Sequence, residues 1–234
     1  MVLFTDQNRK ELKRRFRKDL KKEILFSLFT TNPSLLTIPG RECPDCPRAQ
    51  ELLEEICGLS PKIHLKIHNY FDALEARRQY AIDKIPAIVT ESEGANRLVF
   101  YGIPQGYQFP VFLDGMERMS RDVRSLTNTT RKGFSKIDRL VTLRIFVSSN
   151  SIAAASVAKL AQAAALESHL ISAEIIDING FPELRRAYNV STVPKTIIND
   201  IVHIDGMISE GLLLEKVLAS GIRSTETVEQ RFKQ

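Results

Sequence analysis

The chain of 234 residues has no run of about 18 uninterrupted apolar residues, so a helix crossing a bilayer is excluded on thickness grounds. Its opening stretch, MVLFTDQNRKELKRRFRKDL, turns densely charged within ten residues and holds no apolar core followed by a small-residue cleavage site; a cytoplasmic protein is the expectation. Cysteine is scarce. Cys43, Cys46 and Cys57 are too few to staple a small secreted scaffold. Two of the three stand as Cys-x-x-Cys, a spacing that asks for a chemical explanation. A Gly-x-Ser-x-Gly elbow is missing around Ser151, which argues against a hydrolase nucleophile there.

The excess of positive charge belongs to one stretch. The net charge is +5, yet residues 9–22 hold nine Lys or Arg against two acids. Leu12, Phe16 and Leu20 recur every four residues in this stretch, the pattern of an amphipathic helix with one buried stripe and a cationic outer face. Apart from Phe16, which belongs to the buried stripe, no aromatic residue interleaves the basic ones for base stacking, and no second cluster of this density exists, so a solvated face on a helix covering a sheet fits better than nucleic-acid or membrane contact.

What the sequence does have is a repeat. The segment EARRQYAIDKIPAIV at 75–89 aligns with ELRRAYNVSTVPKTI at 183–197: Glu75, Arg77, Arg78, Tyr80 and Pro86 meet Glu183, Arg185, Arg186, Tyr188 and Pro194, each 108 residues later. The same offset carries Phe26 and Ser27 onto Phe134 and Ser135, and Leu35 onto Leu143, which predicts a copy without insertions from about residue 26 to residue 89. Each copy reads as a helix (6–29 and 122–138), a short strand (34–38 and 141–147) and a loop opening a helix (44–57 and 152–168). A second strand follows (IHLKIHNY and SAEIIDI), then a short helix with the Arg-Arg pair, a strand begun at a proline, a further strand and a last helix (108–120 and 211–219). That order gives an α/β chain of two domains, 1–121 and 122–234, each a mixed central sheet flanked by helices.

A strand, a Cys-x-x-Cys opening a helix and a strand-leading proline about 40 residues on resemble the thioredoxin fold. Two tandem copies, with FYGIPQGYQFPVFLDGMERMSR, resemble the glutaredoxin-like protein disulfide oxidoreductases, and the likeness spans nearly the whole chain. It implies a thiol–disulfide oxidoreductase acting on protein disulfides through one Cys-Pro-Asp-Cys site. Cys43 would be the nucleophile, its thiolate stabilised by the unpaired N–H groups and dipole of a helix start. Cys46, one turn in, would resolve the mixed disulfide. Zinc would need two further ligands, and neither His64 nor His68 has a recognised spacing to Cys57, so no metal is expected, and no other cofactor.

The resemblance also implies a cis Ile85–Pro86 bond facing the cysteines, with the Ile85 backbone free to pair with an extended substrate strand. Pro44 suits the first helical turn. Asp45 should disfavour the thiolate while Arg41 and Arg48 act in the opposite sense. Thioredoxins carry a buried acid six residues before the first cysteine. That position here is Thr37, which leaves Glu42 or a water as proton acceptor for Cys46.

Carried forward by 108 residues, Cys43 and Cys46 fall on Ser151 and Ala154, inside SSNSIAAASV. Disulfide exchange is impossible there; serines and Asn150 suit a helix cap, and the alanines suit helix propagation. Expected partners are proteins bearing disulfides or thiols, with a thioredoxin-reductase-type flavoprotein or a peroxiredoxin as redox partner; the sequence leaves self-association into a homodimer open. The competing reading is a non-catalytic binding or scaffold protein made of the same two domains.

Overall fold

A computed structural model describes residues 4–31, 42–94 and 96–222. Helix α1 (Asp6–Asp19) starts at Thr5, whose side chain accepts from the Asn8 N–H, and buries Leu12 and Phe16. It ends at Asp19, with Leu20 as its C-cap, ten residues before the end of the helix expected from the sequence. Ile24–Thr30, ILFSLFT, is instead strand β1, buried along almost its whole length. The charged stretch Lys21-Lys22-Glu23 contains no glycine or proline to mark the break, but the seven-residue run of aliphatic, aromatic and hydroxyl side chains that follows it suits a central strand buried on both faces. The expected strand at 34–38 lies outside the described residues.

Helix α2 (Cys46–Cys57), β2 (Ile63–Asn69), α3 (Leu74–Tyr80), β3 (Ala87–Glu91), β4 (Leu98–Tyr101) and α4 (Gln108–Arg121) complete the first half. The second half repeats the order: α5 (Asn128–Phe134), β5 (Val141–Val147), α6 (Ile152–Glu167), β6 (Ile171–Asp177), α7 (Pro182–Ala187), β7 (Lys195–Ile198), β8 (Val202–Asp205) and α8 (Glu210–Gly221). Helix α5 is shorter than the 122–138 segment expected, because Thr127 caps it late by accepting from the Thr130 N–H.

The repeat is real, but its register is not uniform. Ile24 faces Ile63 across the β1–β2 pair, and Val141 faces Ile171 across β5–β6. The halves are therefore 117 residues apart at β1 and 108 apart from β2 onward, so the first half holds nine more residues between its first strand and its second helix. The expectation of an insertion-free copy fails for this reason, and the matches of Phe26 and Ser27 are coincidental: Phe26 lies in a strand and Phe134 in a helix, while Leu35 lies outside the described residues. Along α2 the 108 offset holds. Cys46, Ala49, Leu53 and Ile56 are buried, as are Ala154, Val157, Ala161 and Ala164.

The eight strands of the described residues form one sheet, in the order β2-β1-β3-β4-β6-β5-β7-β8. The halves join where β4 pairs in parallel with β6, Tyr101 opposite Ile176. Strands β1, β2, β4, β5 and β6 run in one direction, so their C-terminal ends lie along one rim of the sheet. One face carries α1, α2, α4, α5, α6 and α8 over a continuous apolar core; the other carries α3 and α7 over a smaller core built on Phe29, Tyr101, Phe146 and Phe181. Phe26, Leu28 and Phe112 from one half and Ile145, Ala158 and Leu213 from the other belong to the same core, so neither half is packed independently of its neighbour.

Candidate active site

At the rim where β1 ends, Cys43 and Cys46 are joined as a disulfide. The helix begins at Cys46, with Pro47 in its first turn, so Cys43, Pro44 and Asp45 form the turn before it rather than the helix itself. The turn is closed by the Cys46 N–H donating to the Cys43 carbonyl at 3.1 Å. Burial separates the two sulfur-bearing residues: Cys46 is 1% exposed, whereas Cys43 is half-buried and flanked by the exposed Glu42 and Pro44. Residues at the start of a helix face N–H groups that have no partner in the helix, a setting that favours a thiolate.

Asp45 occupies the N-cap of α2, yet its side chain makes no capping hydrogen bond. It is turned toward the second half, where a Cβ added to Gly180 would stand 3.3 Å from its Oδ2. Nothing in the local sequence signalled this contact. Ile85–Pro86 is cis, as is Val193–Pro194. Ala87 faces Phe29 in the antiparallel β1–β3 pair, which sets Pro86 level with the end of β1, at the same rim as the dithiol. Ile85 is half-buried, and the Pro86 carbonyl accepts from the Gly102 N–H at 2.9 Å. A cleft of about 240 Å³ beside α2 is lined by Arg48, Leu52, Ile103, Pro104 and Phe109 among others.

The matching rim of the second half is built differently. The Ser151 side chain accepts from the Ala154 N–H at 3.1 Å and caps α6, and Ala154 is fully buried where Cys46 would have its counterpart. The loop after β4 lies across it: the Tyr107 N–H donates to the Ser149 carbonyl at 2.8 Å, and Gln108 Nε2 donates to the Ser148 carbonyl at 3.1 Å. Thr37 and Arg41 lie outside the described residues. The β1 strand, which leads to the dithiol, contains no ionisable side chain. Among the described residues, no group of three or more His, Cys, Asp or Glu is placed to hold a metal ion, and no helix is long and apolar enough to cross a membrane.

A parallel strand pair flanking a helix, then a strand entered through a cis-proline, occurs once in each half: this is a thioredoxin-fold protein with two copies in tandem and a single Cys-x-x-Cys. The thioredoxin domain family matches residues 143–219, within the half that lacks the cysteines. No curated protein matches the sequence. Among solved structures, the N-terminal domain of alkylhydroperoxide reductase AhpF from Enterococcus faecalis is similar over 91% of this chain and 99% of its own, with TM-score 0.79 and 22% identity. A protein disulfide oxidoreductase from Aeropyrum pernix is similar over 94% of this chain and 95% of its own, with TM-score 0.81 and 17% identity. Both therefore share the tandem arrangement as well as the single fold.

Proposed function

We propose that the protein is a cytoplasmic thiol–disulfide oxidoreductase acting on protein disulfides through Cys43 and Cys46, with the domain boundary at residues 121 and 122. The observation that carries this reading is the asymmetry of the pair: a half-buried Cys43 in the turn before α2, bonded to a Cys46 that is 1% exposed. An accessible sulfur meets the substrate, and a buried one completes the exchange.

In the reducing direction the Cys43 thiolate attacks one sulfur of the substrate disulfide, forming a mixed disulfide and releasing the first substrate thiolate. Cys46 then loses its proton and attacks the Cys43 sulfur, which frees the second substrate thiol and leaves the Cys43–Cys46 disulfide. Two electrons pass from the dithiol to the substrate. The cis Ile85–Pro86 segment at the same rim supports a role in holding an extended backbone around the target cysteine. The cleft of Leu52, Ile103, Pro104 and Phe109 offers room for apolar side chains of such a segment. Pro44, Asp45 and Glu42 tune the site. The likeness to an alkylhydroperoxide reductase domain supports a peroxiredoxin or a flavoprotein reductase as redox partner.

Insulin reduction in the presence of dithiothreitol tests the reading. Wild type should accelerate precipitation of the insulin chains and Cys43→Ser should not. Equal rates would leave a non-catalytic tandem binding protein as the better account. Mixed disulfides accumulated by Cys46→Ser would identify the partner.

A further inference from the structure

Helix α1 carries more positive charge than its packing uses. Arg9 and Arg15 are paired with Glu55 and Glu117 of neighbouring helices. Lys10, Lys13, Arg14, Arg17, Lys18 and Lys21 are exposed, and among the described residues none of them has an acid within ion-pair distance. Spaced three and four apart, they share one side of the helix, and at 1.5 Å per residue the stripe from Lys10 to Lys18 runs for about 12 Å. Asp19, one of the two acids in this stretch, is held by Arg121 of α4.

Where the stripe meets the turn between α2 and β2, the surface is hollowed. A pocket of about 350 Å³ is lined by Lys13 and Arg17 from α1 and by Leu59, Pro61 and Lys62 from the turn. Phe16 and Leu20 close it from beneath and are only 1% and 2% exposed. Lys62 Nζ donates to the Leu20 carbonyl at 3.1 Å and to the Lys21 carbonyl at 2.9 Å, which fixes that cation at the end of α1. Among the described residues, no acid lines the pocket. Strands β1 and β2 begin beside it, at Ile24 and Ile63, so the pocket lies at the end of the sheet opposite the Cys43–Cys46 turn.

Three kinds of polyanion meet a cationic stripe, and the pocket separates them. Single-stranded nucleic acid is held by stacking on exposed aromatic faces, and Phe16, the aromatic residue of this pocket, is shut in the core. An anionic membrane surface takes up apolar side chains that project, whereas the apolar wall here is recessed. An acidic polypeptide suits both features: its carboxylates answer the stripe, and one apolar side chain enters the pocket.

We infer that this surface docks an acidic segment of another protein, a run of Asp and Glu carrying one aliphatic side chain. A partner held there leaves Cys43 open, because the dithiol turn is at the other end of the sheet. The surface stands whether or not the dithiol is a redox couple.

Fluorescence anisotropy with the full chain tests it, using labelled peptides of about ten residues, long enough to follow the stripe. One peptide is Glu-rich with a central Leu, and the second has Ala in its place. The Leu peptide should bind, its affinity falling about tenfold between about 50 and 200 mM salt, and the Ala peptide should bind about fivefold more weakly. The double variant Lys13→Ser, Arg17→Ser should weaken the Leu peptide about tenfold, and Lys132→Ser, Lys136→Ser, which removes the same charge from exposed positions elsewhere, should not. Equal affinity for the two peptides, or equal losses in the two double variants, would reduce the surface to unspecific attraction and overturn the proposal. So would duplex DNA or phosphatidylserine vesicles held as tightly as the Leu peptide, or a dimer of the chain that Lys13→Ser, Arg17→Ser dissolves. The peptide comparison is made on the wild-type chain and decides without any variant.

Discussion

The backbone N–H of Tyr107 in the first half donates to the carbonyl of Ser149 in the second at 2.8 Å. The bond lands on the loop that occupies the place of a dithiol turn in the second half, and the Gln108 side chain adds a second to Ser148, which is buried. The cysteine-free rim is thus covered in part by the half that kept its cysteines. Its serines serve backbone satisfaction: Ser151 caps α6, and the Ser148 and Ser149 carbonyls accept from across the junction.

Gly106 makes that contact possible. Its φ is +56°, and a Cβ would stand 2.2 Å from the Ser149 oxygen. Gly106→Ala combines a left-handed conformation unfavourable to alanine with a collision against backbone, so a loss of about 2–4 kcal/mol is expected in urea unfolding. Wild-type stability in this variant would mean that the loop does not seat on Ser149.

Two cations of the basic helix tie it to its neighbours: Arg9 pairs with Glu55 of α2, and Arg15 with Glu117 of α4. Arg15 Nε lies 2.6 Å from Glu117 Oε1 and Arg15 Nη2 lies 2.8 Å from Oε2, joining α1 to α4, and Glu117 is almost fully buried. Arg15→Met leaves that carboxylate without its partner. Breaking a buried pair costs about 3–5 kcal/mol, and because Arg15 is one-third exposed the expected loss is nearer 2 kcal/mol. The double variant Arg15→Met, Glu117→Leu should recover most of it in the same denaturation assay.

Cys57 should be silent toward thiol reagents. Burial, with the charge of Glu54 adding to it, pushes its thiol up to about 11. A raised thiol pKa keeps the reactive thiolate scarce until the pH nears that value, so at pH 8 only about one molecule in a thousand carries it. Iodoacetamide at pH 8 should label Cys43 in the reduced, folded protein and reach Cys57 only in denaturant. Equal labelling of Cys57 under native conditions would contradict its placement. By linkage, the folded form holds this proton more tightly than the unfolded chain, so stability declines as pH rises above the unfolded thiol value of about 8.5.

The dithiol, both prolines and the 108-residue offset were legible in the sequence because each is written locally and, apart from the cysteines, written twice. Strand β1 was not. Its apolar residues continue the amphipathic stripe of α1 through Lys21-Lys22-Glu23 with no breaker, and a matching of single letters at one offset hid the nine-residue difference that strand pairing exposes. The alanines of α6 were read as helix formers. Ten of the sixteen residues of α6 are buried, and at its contact with α4 a Cβ on Gly115 would come within 2.7 Å of Gln162. Small side chains are there because two helices and the sheet meet closely, a requirement no local propensity expresses.

By itself the sequence determined which half can carry out disulfide exchange, since serine and alanine at 151 and 154 offer no thiol, and it determined the order of helices and strands through the periodicity of apolar residues. Only the tertiary structure decided how the halves meet. The β4–β6 pairing is made by backbone groups, which every residue but proline presents alike, so no side-chain pattern announces it. That single junction aligns the rims of the two half-sheets, lays the Gly106–Tyr107 loop on Ser149, and brings Gly180 against Asp45.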